Sequence, residues 1–171
     1  EDGNIISVVH VGNVAPIAPI GDWKYDTFTF GPRLNNLGDL VFVGQVKNQV
    51  SLIKGRALFL YRDGAIEALV YPGLTFPADG GNYTAIQVSG FVQNYYLNDA
   101  GDVSFTLQYD ADVDGDTVKD SGIFVWSKGV YAVVAKTGDV IPGVGTVRHS
   151  FQLIPTDRGG AVINNRGQVL G

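Results

Sequence analysis

The segment Asp110-Ala111-Asp112-Val113-Asp114-Gly115-Asp116-Thr117-Val118-Lys119-Asp120 holds the side chains whose types and spacing point most directly to a chemistry. Hard cations such as Ca²⁺ take roughly six to eight oxygen ligands, and acids at alternate positions followed by glycine let a tight loop turn carboxylates onto one point. The spacing predicts a calcium loop with Asp110, Asp112 and Asp114 as side-chain ligands, Asp116 donating through its carbonyl or carboxylate, and Asp120 completing the acidic set. Ser121 stands where an EF-hand loop would close on Glu, and β-rich runs rather than helices flank the segment, so the loop is not an EF-hand. Its five acids and one lysine give a net charge of −4, most of the −5 carried by the whole chain. Like charges crowded this closely repel unless a cation or solvent relieves them, so the competing expectation is a solvated acidic insertion between two strands.

Other chemistries find few reagents. With 0 Cys there is no thiol nucleophile, thiolate metal site or disulfide, and with 2 His, His10 and His149, a multi-histidine metal centre is excluded. Lys and Arg number 12 against 17 acids, so there is no basic footprint for nucleic acid. Glycoside cleavage by two carboxylates needs acids about 5–10 Å apart across a pocket, and outside the acidic loop the sequence marks no such pair. No catalytic residue is assigned. Two aromatic stretches, Trp23, Tyr25, Phe28 and Phe30, then Phe91, Tyr95 and Tyr96, could form a sugar platform, with Trp23, Tyr95 and Tyr96 as candidate contacts. At β alternation such rings more often pack in a core.

The elements that must position these groups are strands. Hydrophobic residues make up 45% of the 171, which excludes a disordered chain, while 23 Gly and 7 Pro mark frequent turns. No run is long and apolar enough for a membrane span. Leu34-Asn35-Asn36-Leu37-Gly38-Asp39-Leu40-Val41-Phe42 recurs 63 residues on as Leu97-Asn98-Asp99-Ala100-Gly101-Asp102-Val103-Ser104-Phe105, and 66 further on as Ile163-Asn164-Asn165-Arg166-Gly167-Gln168-Val169-Leu170. Asn at the first position of a type I turn bonds its own backbone, and Gly at the last accepts positive φ. A second block recurs too: Leu58 to Gly64 returns 65 residues later as Ile123 to Gly129, with Asp63-Gly64 and Lys128-Gly129 as tight hairpin turns. The start, Asp2 to Gly12, matches Asp63 to Gly73. In the first repeat the place of the acidic loop is taken by the short, non-acidic Gln49-Val50-Ser51-Leu52-Ile53-Lys54.

No segment carries a helical stripe, so the expected fold is all-β: one repeat domain over 1–171, with antiparallel four-stranded units near 12–73 and 73–138, a partial unit at 138–171, and 1–12 completing another. A propeller-like arrangement, incomplete within one chain, fits a unit of four short strands; a β-sandwich or an open β solenoid is the alternative. Asn35-x-x-Gly38-x-x-x-Phe42, Asn98-x-x-Gly101-x-x-x-Phe105 and Asn164-x-x-Gly167 resemble the bacterial exported choice-of-anchor tandem repeat proteins with an NxxGxxAF motif. Val41 and Ser104 stand where that motif has Ala. The resemblance implies a surface-anchored, propeller-like repeat protein without assigned catalysis, and it supplies no ligand.

The expected function is a non-enzymatic extracellular structural or adhesive protein, calcium-stabilised and self-associating through terminal strands into a homo-oligomer or filament. The absence of Met, even at position 1, is read as a processed or excised product. The alternatives are a calcium-dependent glycan- or protein-binding module and a carboxylate-based glycoside-cleaving enzyme.

Overall fold

The computed structural model describes residues 7–19, 21–28, 30–85, 92–111, 119–143, 145–147 and 162–170. Asp112, Asp114, Asp116, Phe91 and His149 lie outside them, as do residues 2–6 of the Asp2–Gly12 match. The described residues form strands and turns with no helix, so none is long and apolar enough to cross a membrane.

The first sheet contains β1 (Trp23–Thr27), β2 (Arg33–Leu34), β3 (Leu40–Asn48), β4 (Lys54–Arg62) and β5 (Ala65–Val70). β1 and β2 both run antiparallel along the same neighbour, β3, and β4 and β5 follow in order. The second sheet has β6 (Thr75–Ala78), β7 (Gly81–Thr84), β8 (Val92–Leu97), β9 (Val103–Gln108), β10 (Ser121–Ser127) and β11 (Val130–Lys136), in the order β7-β6-β11-β10-β9-β8. Its β8 to β11 meander repeats the order of the first sheet. The β6–β7 hairpin adds to its far edge through one parallel pairing, Tyr131 with Ala78. Two short hairpins follow, β12 (Val140–Ile141) with β13 (Gly145–Thr146) and β14 (Val162–Ile163) with β15 (Val169–Leu170).

Local chemistry sets these hairpins. Asp63 and Gly64 have φ of 51° and 80°, and Lys128 and Gly129 have 49° and 85°. Two successive left-handed residues make the turn whose twist matches that of its strands. In β3 the side chains alternate across the sheet: Val41 and Val43 enter one apolar cluster, Phe42 and Val46 the other. β4 does the same, with Leu58 and Leu60 opposed to Ala57 and Phe59. The first sheet is therefore covered on both faces.

Its aliphatic face packs on the second sheet, where Tyr95, Val103, Phe105, Leu107, Phe124 and Trp126 share the cluster. Its aromatic face holds Trp23, Tyr25, Phe42 and Phe59 under Ala15 and Ile17 of the preceding segment. Gly44 keeps that face flat, because a Cβ there would sit 3.0 Å from the Tyr25 ring and 3.3 Å from Phe28. Each fully buried Leu or Phe stabilises the fold by about 1.5–3 kcal/mol.

Candidate functional site

The three Asn-x-x-Gly corners lie side by side. In the first, Asn35 Oδ1 accepts the Leu37 amide at 3.0 Å and the Asp39 amide at 2.9 Å, while Gly38 N donates to Asn35 O at 3.3 Å. Gly38 takes φ of 88°, where only glycine is unstrained. Asn98 accepts the Asp102 amide at 2.8 Å, and Asn164 accepts those of Arg166 and Gln168 at 2.9 and 3.0 Å. The corners thus share one set of bonds, as expected of equal turn chemistry.

What the side-chain amides do next joins one corner to another. Asn35 Nδ2 donates both to Asp39 at 2.9 Å and to the Asn98 carbonyl at 3.1 Å. Asn98 Nδ2 donates both to Asp102 at 3.0 Å and to the Asn164 carbonyl at 3.0 Å. Beside this ladder runs a second one. Asn36 gives its backbone and side-chain N–H to the two Asp99 oxygens at 3.0 and 2.8 Å. Asp99 N donates to Asn165 Oδ1 at 2.9 Å, and Asn165 Nδ2 returns to Asp99 at 2.8 Å. These donors, led by the Asn36 backbone N–H, hold the Asp99 carboxyl below the usual carboxylate range.

Arg62, at the end of β4, locks the first step. Its Nη2 donates to Asp39 Oδ2 at 3.0 Å and to the Gly101 carbonyl at 3.2 Å. The Arg62 hydrogen bond is the main cause of an Asp39 pKa lowered from its ordinary value, against the opposing effect of burial. At the same place in the second sheet, Ser127 Oγ donates to Asp102 Oδ1 at 2.5 Å. Further ties cross between the sheets: Tyr95 Oη donates to the Gly31 carbonyl at 2.7 Å, and Tyr131 Oη to the Leu69 carbonyl at 2.6 Å. Burial pushes the Tyr131 phenol up to about 12, so it stays a donor at ordinary pH.

The described ends of the acidic segment, Asp110-Ala111 and Lys119-Asp120, meet in a closed neck. Tyr109 N donates to Asp120 O at 2.9 Å, Asp120 N to Ala111 O at 2.9 Å, and Lys119 Nζ meets Asp110 Oδ1 at 2.5 Å. Asp110 is exposed and engaged with that lysine, whereas Asp120 is fully buried against Tyr109, whose phenol is pushed up first by burial and then by the Asp120 charge. Among the described residues no group of three or more His, Cys, Asp or Glu is arranged to hold a metal ion.

Trp23, Tyr95 and Tyr96 occupy different surroundings. Trp23 is buried in the aromatic cluster and Tyr95 in the cluster between the sheets. Tyr96 is half-buried with the Arg33 guanidinium 5.2 Å from its ring centre. The aromatic face leaves a cleft of about 290 Å³ between Ser7–Val9 and Phe28, Phe30, Pro32, Leu40 and Phe42. Arg56 sits 4.7 Å from the centre of the Phe30 ring. His10 is exposed, exchanging hydrogen bonds with Asn13 in a local turn.

Sequence reasoning located the corners but not Arg62, Asp39 or Ser127. The signal was present as an acid directly after Gly38 and Gly101, with a polar residue ending each third strand. A family described as being of unknown function (DUF7453) matches residues 1–170 of the chain. No curated protein and no solved structure matches it.

Proposed function

The chain belongs to this family of unknown function, and from that premise we propose that it is a structural repeat protein of the propeller-like kind, exported to the cell surface, whose chains associate with one another. The observation that carries this reading is the double ladder of corners, in which residues 63 and 66 apart make the same bonds, side-chain amide to carbonyl and backbone amide to side-chain oxygen. These bonds shape each corner and tie it to the next, which suits a scaffold. The resemblance to the NxxGxxAF proteins supports the surface location.

The second part of the proposal is that calcium stabilises the acidic loop. The net charge of −4 over residues 110–120 supports it, because a cation would relieve the repulsion. Sedimentation velocity over a range of protein concentrations, with calcium and with chelator, tests both parts. Growth in particle size with concentration is expected, together with a lower melting temperature and faster proteolysis within 111–120 in chelator. A chain monomeric at every concentration overturns self-association, and a loop indifferent to chelator overturns the calcium role.

A further inference from the structure

The acidic segment carries a cation of its own. Residues 110–120 hold five acids and a single lysine, Lys119, whose ammonium lies 2.5 Å from Asp110 Oδ1. This ion pair is not what closes the neck. Tyr109 N to Asp120 O and Asp120 N to Ala111 O do that through the backbone, and Gln108 Nε2 donates to the Lys119 carbonyl at 3.0 Å. The corresponding turn of the first sheet closes with no ion pair at all, Asn48 Oδ1 accepting the Val50 and Ser51 amides at 2.9 and 2.7 Å. What the ammonium alters is the reach of one carboxylate. Of the two described acids of the segment, Asp120 is fully buried against Tyr109, whereas the Asp110 side chain is 59% exposed. An ion arriving from solvent therefore meets Asp110 first, and finds a tethered cation already on it.

Resting on the reading of 110–120 as a calcium loop, we propose that Lys119 regulates that loop. Its ammonium holds Asp110 when calcium is scarce, calcium must displace it to use that carboxylate, and the lysine thereby sets the concentration at which the loop fills. An ammonium brings one charge and three donors, whereas Ca²⁺ brings two charges and gathers roughly six to eight oxygens, so the divalent ion prevails once it is abundant. Both partners of the pair are about half exposed, where such a contact holds weakly and salt screens it. Lys119 is thus a light counterweight that shifts affinity and does not abolish it.

Equilibrium dialysis against radioactive calcium compares the whole chain with its variants Lys119→Gln, Lys119→Arg and Lys128→Gln. The last removes the same charge from the turn at the far end of β10. Both lysines are exposed, so all three variants are expected to fold as the parent does. Lys119→Gln should bind calcium about two- to fivefold more tightly than the parent, with the gap closing at high ionic strength. Lys119→Arg, which keeps a cation opposite Asp110, and Lys128→Gln should bind as the parent does. Equal affinity in Lys119→Gln and the parent, or an equal gain in Lys128→Gln, overturns the role of Lys119 and leaves the calcium loop standing. No calcium retained by either the parent or Lys119→Gln overturns the loop and this inference together.

Discussion

Between the first and second corners Arg62 spans from Asp39 to the Gly101 carbonyl, whereas the equivalent place in the second sheet is held by Ser127, whose hydroxyl reaches Asp102 and, among the described residues, no following corner. The asparagine bonds are otherwise alike in the two steps. Burial differs as well: Asn35 and Asn98 are buried, and Asn164 is half-buried. The turn and the amide ladder are thus the common device, and the charged clamp is an addition to one step.

Asn35→Ala breaks that common device and should have the largest effect. It strips four hydrogen bonds, leaving the Leu37 and Asp39 amides without their acceptor, at a cost of about 2–4 kcal/mol. Asn164→Ala, at the more exposed corner, should cost about 1 kcal/mol. Equal losses in urea unfolding would mean that burial does not distinguish the corners.

The glycines sharpen the comparison further. Gly38 and Gly101 both hold positive φ, 88° and 82°, but a Cβ at Gly38 meets nothing within 4 Å while one at Gly101 falls 1.8 Å from Arg62 Nη2. Gly38→Ala should therefore cost only backbone strain, about 1 kcal/mol. Gly101→Ala should cost about 1–2 kcal/mol more by expelling Arg62 from its clamp. A double-mutant cycle with Arg62→Ser checks the cause, since the excess should vanish once the arginine is gone.

Acid reaches the same bonds without mutation. The folded protein holds Asp39 and Asp99 below the ordinary carboxylate value of 3.8, so their contribution to stability is complete above that value and is lost as pH falls through the lower folded-state values. Urea midpoints measured on the acid side should fall in the parent and fall less in Arg62→Ser, where Asp39 has lost the main cause of its shift. The smallest effect expected is a gain: Ser127→Arg supplies the second step with the clamp of the first, for about 0.5 kcal/mol. No gain would mean that Asp102 and its neighbouring corner do not reproduce the Asp39 site.

The corners were legible in the sequence because Asn and Gly at fixed spacing answer to local backbone chemistry, and the hairpins at Asp63-Gly64 and Lys128-Gly129 were legible for the same reason. The all-β class followed from these. The double covering of the first sheet was less visible: strands apolar on both faces announce that something lies on each side but not what. Arg62 was invisible as a clamp because its partners, Asp39 and Gly101, are brought to it by tertiary packing across 23 and 39 residues. The β6–β7 hairpin was less visible because β6 is only four residues long and carries Pro77 among them, although its side chains do alternate between exposed and buried.

Backbone bonds close the end of β9 onto the start of β10, so the sheet is complete at this point. Because Ala111 and Asp120 are already bridged by the backbone, the ends of any peptide placed between them stay close together, and lengthening such a loop costs little. The position is thus a natural graft point, able to display foreign epitopes or reporter sequences with little disturbance to the layers that carry them.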